Sequence, residues 1–299
     1  MRAAASSVLV TLFLALASPA SAQLGMFSKE QLISITRSWM GARDDGGRPL
    51  VPDSVLTRLK NTSAEEAWGV LRGAGYNFQF EGNWQGVNIS KEDRLIGRAL
   101  TAVFVPMRPD LNDYINENAK KEGRVGRGQN SWPIDMLKPG DVLVVDLFGK
   151  IKDGTFMGDN LATSIFAKSG TGIVIDGALR DLSGVMEIKG IKVYVRGFDP
   201  SGIAGVTLAG INVPVRIGGT TVLPGDVVLG DPEGVIFIPA HLAAKVADAS
   251  EETQLRDEWG HTMLREGRYT PGQIDSRWTE AMQAEYKKWA AERKAKRQP

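Results

Sequence analysis

From Leu95 onward the chain is dominated by short runs rich in Val and Ile separated by glycine-bearing turns, and this pattern limits the fold more than any other feature. Such runs read as strands. They are Leu95–Val105, closed by Pro106 and Pro109, then Asp141–Phe148, Gly172–Ile175, Val193–Val195, Val213–Ile217, Val227–Leu229 and Val235–Ile238. Asn160 to Lys168 has helical spacing, which predicts a strand–helix–strand unit between Asp141–Phe148 and Gly172–Ile175. The later strands follow one another with only turns between them, so the sheet is expected to be mixed rather than doubly wound. Gly218-Gly219 reads as a hairpin turn, because it lacks the lysine and the spacing of a phosphate loop.

Helices are expected on both sides of this region. Lys29 to Met40 and Ala64 to Leu71 carry apolar residues at helical spacing, and Asp110 is placed to cap a helix running to about Lys121. After Pro239 the helical pattern returns from Ala240 to about Glu266, ended by Gly267 and Pro271. A last helix from Ser276 to about Glu292 aligns Trp278, Met282, Tyr286 and Trp289. This stripe reads as an apolar face docked on the domain or on a neighbouring subunit, with a solvated basic tail. A membrane-surface or partner helix is the competing reading.

The first residues predict export. Arg2, an apolar run from Val8 to Leu16, and Ala20-Ser21-Ala22 before Gln23 have the order of a secretory signal peptide cleaved after Ala22. The run is too short to cross a bilayer, so no stable membrane insertion is expected and the address is periplasmic or secreted. The expected organisation is a signal peptide over 1–22, a helical extension over 23–94, a catalytic domain over 95–267 and a helical tail over 268–299.

Composition narrows the chemistry. With no cysteine there are no disulfides, thiolate nucleophiles or Cys-ligated metals, and His241 and His261 alone leave little room for a His-rich zinc site. Any metal must sit on oxygen or imidazole, which favours Mg²⁺ or Mn²⁺. The 36 basic and 35 acidic residues leave a net charge of +1, so nothing points to nucleic acid as a partner.

The stretch richest in chemistry is Gly158-Asp159-Asn160-Leu161 with Arg180-Asp181 further on. Gly158 ends a loop and Asn160 starts a helix, leaving free N–H groups for a carboxylate or oxyanion. Arg180 and Asp181 are expected to follow strand Gly172–Ile175 through a turn at Asp176-Gly177. An arginine forks onto the carboxylate and carbonyl of a 2-oxo acid, and two aspartates hold a divalent ion against the same oxygens. On spacing alone, turn capping and surface ion pairing explain these residues equally well.

Four ordered blocks carry a family resemblance: Pro139 to Asp146, Gly158 to Ala162, Gly172 to Asp181, and Pro224 to Val235. In these the chain resembles the RraA-like family, in the branch of 4-hydroxy-4-methyl-2-oxoglutarate aldolases and oxaloacetate decarboxylases. The resemblance includes an aspartate, twenty intervening residues and then Arg-Asp, met here by Asp159, Arg180 and Asp181. It implies an α/β fold of the swivelling β/β/α type, a layered mixed sheet flanked by helices, in homotrimers or hexamers. By the same resemblance Arg180 would bind the substrate's carboxylate and keto oxygen. Asp181 would ligate Mg²⁺ or Mn²⁺ directly, and Asp159 would hold metal-bound water. The amides of Asn160 and Leu161, beside Gly158, would complete the carboxylate pocket. A glutamate from a neighbouring subunit's C-terminal helix would join the metal's water shell, with Glu251, Glu252 and Glu258 in range and Glu252 the named candidate.

The expected activity is metal-dependent cleavage of 4-hydroxy-2-oxo acids with release of pyruvate, decarboxylation of oxaloacetate, or both. The competing readings are a non-catalytic RraA-type regulator of a ribonuclease and a periplasmic 2-oxo acid binding protein. The regulator branch lacks the first aspartate of the motif, which is present here as Asp159. A methyltransferase is disfavoured, since no Gly-rich S-adenosylmethionine loop with an acidic ribose ligand is evident.

Overall fold

The computed structural model describes residues 25–124, 126 and 128–297. The expected signal peptide, with its cleavage point at Ala22, lies outside the described residues. The described residues open with helices α1 (Lys29–Ile35), α2 (Asp53–Leu59) and α3 (Ala64–Gly73), then strands β1 (Phe80–Glu81), β2 (Gln85–Val87) and β3 (Leu95–Pro106). Helices α4 (Pro109–Lys121) and α5 (Ser131–Asp135) lead into β4 (Asp141–Met157), α6 (Asp159–Ser169), β5 (Gly172–Leu179), α7 (Leu182–Glu187) and β6 (Lys192–Phe198). Next come β7 (Val206–Ile211), β8 (Val215–Ile217), β9 (Thr220–Val222), β10 (Val227–Asp231) and β11 (Gly234–Ile238). Helices α8 (Ala243–Arg265), α9 (Pro271–Ile274) and α10 (Glu280–Arg297) follow.

The central sheet has nine strands in the order β1-β11-β10-β3-β4-β5-β6-β2, with β7 also on β3. Strands β3, β4, β5 and β6 are parallel neighbours, and the remaining pairings are antiparallel. This is the mixed, helix-flanked α/β architecture expected from the sequence. All eight residues of β5 are buried. A parallel strand covered on both faces reads as a continuous apolar run for that reason. On one face Leu143, Ile173, Ile175 and Val193 pack with Ala162 and Ile165 of α6 and Val185 of α7. On the other, Val142, Val144 and Val174 pack under Val215, Ile217 and Val222 of the β8–β9 hairpin. That hairpin turns at Gly218-Gly219, as expected, because Ile217 pairs directly with Thr220.

Two strands run further than their apolar cores. Strand β4 continues past Phe148 to Met157 through three register shifts against β5. Strand β5 continues through Asp176-Gly177 to Leu179, so the expected turn at Asp176-Gly177 is strand interior. Asp176 pairs with Asp146, and its carboxylate accepts from Arg196 Nε at 2.7 Å, which satisfies a polar residue inside the sheet. Strands β1 and β2, which precede Leu95, pair with β11 and β6 respectively.

The segments flanking the sheet are anchored by identifiable contacts. Buried Arg48 meets Asp44 and, through both terminal nitrogens, Asp141 at 3.0 Å, pinning the segment before α2 to the start of β4. The Trp278, Met282 and Tyr286 stripe packs on Leu255, Trp259 and Met263 of α8 in the same chain, with Trp259 and Trp278 ring centroids 4.6 Å apart. No helix among the described residues is long and apolar enough to cross a membrane.

One buried acid gives stability a pH slope. Burial pushes the Asp226 carboxyl up to about 7, against backbone N–H bonds from Leu223 and Ala240 that favour its charged form. The folded state therefore keeps a proton that the unfolded chain has lost. Its contribution to stability is full below the ordinary value of 3.8 and declines as pH rises through about 7. Asp226→Asn is expected to flatten the fall in melting temperature between about pH 5 and about pH 8. Parallel melting profiles for the two proteins would show that Asp226 does not titrate in that window.

Candidate functional site

The register of the parallel strands brings the polar residues together. Met157 at the end of β4 pairs with Leu179 at the end of β5, and Leu179 pairs with Phe198 at the end of β6. Three carboxyl ends thus finish level, which is where open α/β sheets bind ligands. The ladder extends one residue beyond each pair: Arg180 N–H donates to Met157 O and Asp199 N–H to Leu179 O, both at 3.1 Å. Gly158-Asp159, Arg180-Asp181 and Asp199 emerge side by side as a consequence.

Local conformation sets each side chain. Gly158 is the N-cap of α6 and Asp159 opens its first turn, where a carboxylate suits the positive end of the helix dipole. Asp159 Oδ1 accepts from the Asn160 N–H at 2.8 Å. Asp181 adopts a left-handed conformation, φ 55° and ψ 41°, as the N-cap of α7. This backbone is strained for most residues and tolerable for Asp. Its carboxylate meets Arg180 Nη1 at 3.1 Å.

Glycines make these groups converge. A Cβ on Gly158 would overlap Asp181 Oδ2 and lie 3.3 Å from Arg180 Cζ, so both charged groups rest on the bare α-carbon that precedes Asp159. A Cβ on Gly184 would lie 3.0 Å from Asp159 Oδ2, which places the first turn of α7 against that carboxylate. Gly158, Asp159, Arg180 and Asp181 therefore form one cluster. Asn160 is exposed beside it, and half-buried Leu161 packs against the core.

Beside Arg180 and Asp181 lies an open crevice of about 230 Å³, walled by Leu179, Leu182, Phe198, Asp199 and Pro200. Phe198 is 37% exposed. The Ser201 hydroxyl and N–H, followed by nearby Lys152, hold the Asp199 carboxyl below the usual carboxylate range. Larger hollows of about 480 Å³ beside Lys192 and about 260 Å³ beside His241 contain no aspartate pair flanking an arginine. The sequence reading missed Gly184, Phe198 and Asp199. The glycine three residues after Asp181 was the available signal, and nothing local marked Phe198 or Asp199.

The C-terminal glutamates are engaged elsewhere within the chain. Glu251 meets Arg58 Nε at 2.6 Å, Glu252 accepts from the Tyr286 hydroxyl at 2.6 Å, and Glu258 meets Arg293 at 2.5 Å. Among the described residues, no group of three His, Asp or Glu side chains is assembled for a metal. Glu252 therefore does not join Asp159 and Asp181 within one chain.

Comparison with known proteins gives the class. Residues 77–237 match the family model described as RraA-like, Aldolase/RraA. The chain belongs to the RraA-like family. A Halalkalibacterium halodurans protein, named provisionally as a 4-hydroxy-4-methyl-2-oxoglutarate aldolase, is 29% identical over 48% of this chain and 71% of its own. A Thermus thermophilus protein named 4-hydroxy-4-methyl-2-oxoglutarate aldolase is 32% identical over 33% of this chain and 60% of its own. Among solved structures, Streptomyces coelicolor RraAS2 is similar, described as an unusual member of the RNase ES inhibitor RraA protein family. It is 26% identical with a TM-score of 0.60, covering 72% of this chain and 98% of RraAS2. The family thus holds both proteins named as aldolases and RraA regulators.

Proposed function

We propose that this chain is a divalent-metal-dependent carbon–carbon lyase that cleaves 4-hydroxy-2-oxo acids to pyruvate and a carbonyl product, and decarboxylates oxaloacetate. The observation that carries the reading is the convergence of Asp159, Arg180 and Asp181 where β4, α6 and β5 meet. The names of the aldolase relatives point to the same chemistry.

The donor set fits a hard ion. Two carboxylates with water completing the shell is a common arrangement for Mg²⁺, so a third protein ligand is not required. Asp181 and Asp159 are the groups that would hold it. When bound, the ion supplies Lewis-acid polarisation of the keto oxygen and stabilises the developing enolate charge. Arg180 presents a planar fork to the substrate's carboxylate and keto oxygen, fixing the plane in which the C3–C4 bond must break. The Leu161 N–H at the start of α6 receives the other carboxylate oxygen, joined by the Asn160 N–H once that donor leaves Asp159 Oδ1, which it meets at 2.8 Å in the free chain. With a 4-hydroxy acid, C3–C4 cleavage turns the C4 hydroxyl into a carbonyl as its proton leaves. With oxaloacetate the same cleavage releases CO₂. In both cases the enolate gains a proton at C3 and becomes pyruvate.

The test is pyruvate release from a panel of 4-hydroxy-2-oxo acids and oxaloacetate after EDTA treatment, with and without added Mg²⁺ or Mn²⁺. Turnover is expected only with metal, and equal rates in both states would overturn the metal requirement. Arg180→Lys keeps the charge but loses the fork, so KM should rise and kcat fall, each several-fold. A change in KM alone would show that Arg180 only binds.

The likeness to RraAS2 favours a second reading, a non-catalytic regulator. It gains if no pyruvate is released while the protein lowers a ribonuclease's activity; a periplasmic 2-oxo acid binding protein would instead bind pyruvate without turnover. Export with cleavage after Ala22 and assembly into trimers or hexamers are part of the proposal. Mass spectrometry of the secreted chain and sedimentation of the purified protein test them.

A further inference from the structure

The hollow of about 260 Å³ beside His241 shares no wall residue with the crevice beside Arg180. It lies between the turn after α1, the segment entering β1, the β9–β10 turn and the segment leaving β11. Trp39, Tyr76, Leu223 and Pro239 give it apolar walls, on which Gln79, Asp226 and His241 converge. Apolar walls with a few polar groups are the usual form of a small-molecule site.

The walls also fix the charge of what they can hold. No lysine or arginine lines the hollow, so an anion would find no counter-charge there. Burial keeps His241 below its ordinary range and therefore neutral. Gln79, only 9% exposed, donates through Nε2 to Phe237 O at 2.9 Å and to Thr221 O at 3.4 Å. Those two carbonyls fix the orientation of the amide, and its Oε1 is left without a donor among the described residues. Asp226 is the one carboxyl on the wall, and the groups that act on it are its own burial and the N–H groups of Leu223 and Ala240, with no cationic side chain. The arginines nearest in the fold are engaged elsewhere: Arg48 with Asp44 and Asp141, Arg98 with Asp53, and Arg43 with oxygens of Thr36, Trp39 and Gly47. A buried carboxyl and an unfilled amide oxygen thus face an aromatic-walled cavity in which the chain places no cation.

We propose that this hollow binds a primary ammonium ion carried on a short apolar or aromatic stem. The ammonium supplies three N–H donors and a positive charge, which suit Gln79 Oε1 and the Asp226 carboxylate. Trp39 and Tyr76 flank the stem and favour a cation near their rings. Asp226 titrates at about 7 in the free chain, so the arriving cation favours its charged form and expels the proton it holds. The proposal stands apart from the lyase reading and does not depend on it.

The experiment is titration calorimetry of the metal-free full chain at about pH 7 with three probes of similar shape: 2-phenylethylammonium, 2-phenylethanol and 3-phenylpropanoate. The ammonium is expected to bind with a Kd on the order of 0.1–1 mM, the alcohol about tenfold more weakly, and the anion without saturation. Repeating the titration in two buffers of different ionisation enthalpy should show about half a proton released per ammonium bound. Asp226→Asn should weaken the ammonium about tenfold and abolish the proton release, with a melt on the same sample to show that it folds. If that variant fails to fold, the proton count on the wild type decides alone. Asp181→Asn should leave the Kd unchanged. Equal binding of ammonium and alcohol, a preference for the anion, no binding, or no proton released would overturn the proposal. So would loss of binding in Asp181→Asn, which would seat the ammonium at the crevice beside Arg180 instead.

Discussion

Asp181→Asn is expected to lower metal-dependent pyruvate release by a factor on the order of 10³ while leaving the fold intact. Asparagine is the informative substitution because position 181 has φ 55°, a conformation that Asn tolerates and Ala adopts only with strain. Volume and backbone are thus kept, and the change is the loss of one negative charge. That charge is what a divalent ion would bind and what Arg180 meets at 3.1 Å. With no cysteine in the chain and no third metal-binding side chain gathered at this point among the described residues, nothing replaces it. The measurements are Mn²⁺-dependent kcat and a thermal melt on the same sample. An unchanged melt with the activity lost is the expected pair. Activity within about tenfold of wild type would remove Asp181 from the metal site.

The same strand ends show how far local sequence reaches. The helix α6 was legible because a glycine, an acid and then apolar residues at helical spacing form a local signal. Strand interiors were legible because a buried parallel strand must be apolar on both faces. Strand lengths were not. Asp176-Gly177 has the composition of a turn, and only tertiary partners keep it extended: Asp146 beside it, Arg196 at 2.7 Å and the hairpin at Gly218. Those residues are distant in sequence, so no local propensity reports them.

The candidate site divides along the same line. Asp159, Arg180 and Asp181 could be singled out as residue types suited to a 2-oxo acid and an ion. Their convergence depends on Met157, Leu179 and Phe198 finishing level, which is a matter of register between strands. Asp199 was hidden for this reason, since the apolar run Val193–Val195 gave no sign that β6 would carry on to Phe198 and bring Asp199 level with Arg180. Gly184 was hidden because its role is an absence of side chain against Asp159. The aromatic stripe of α10 was legible as an apolar face, and its partner on α8 emerged only with the packing of Trp259.

The absence of a side chain also decides the second large effect. Gly158→Ala is expected to reduce kcat/KM by about 10²-fold or more while shifting stability by less than about 1 kcal/mol. Gly158 has φ −114° and ψ −165°, an extended backbone that alanine adopts freely, so no conformational penalty accompanies the change. What the added methyl meets is Asp181 Oδ2 and the Arg180 guanidinium. Both are ends of half-exposed side chains that can swing into solvent, so the protein relieves the overlap by giving up their positions and keeps its core unchanged. A displacement of about 1 Å at groups that position a reacting bond lowers a rate by about 10²-fold. The checks are a melting temperature close to wild type, a higher Mn²⁺ concentration for half-maximal activity, and a fall in kcat at saturating metal. If kcat and the metal requirement both stayed at wild-type values, Asp181 and Arg180 would not need the place that Gly158 leaves open. Loss of folding instead would mean that the glycine serves the turn between β4 and α6 rather than the charged pair above it.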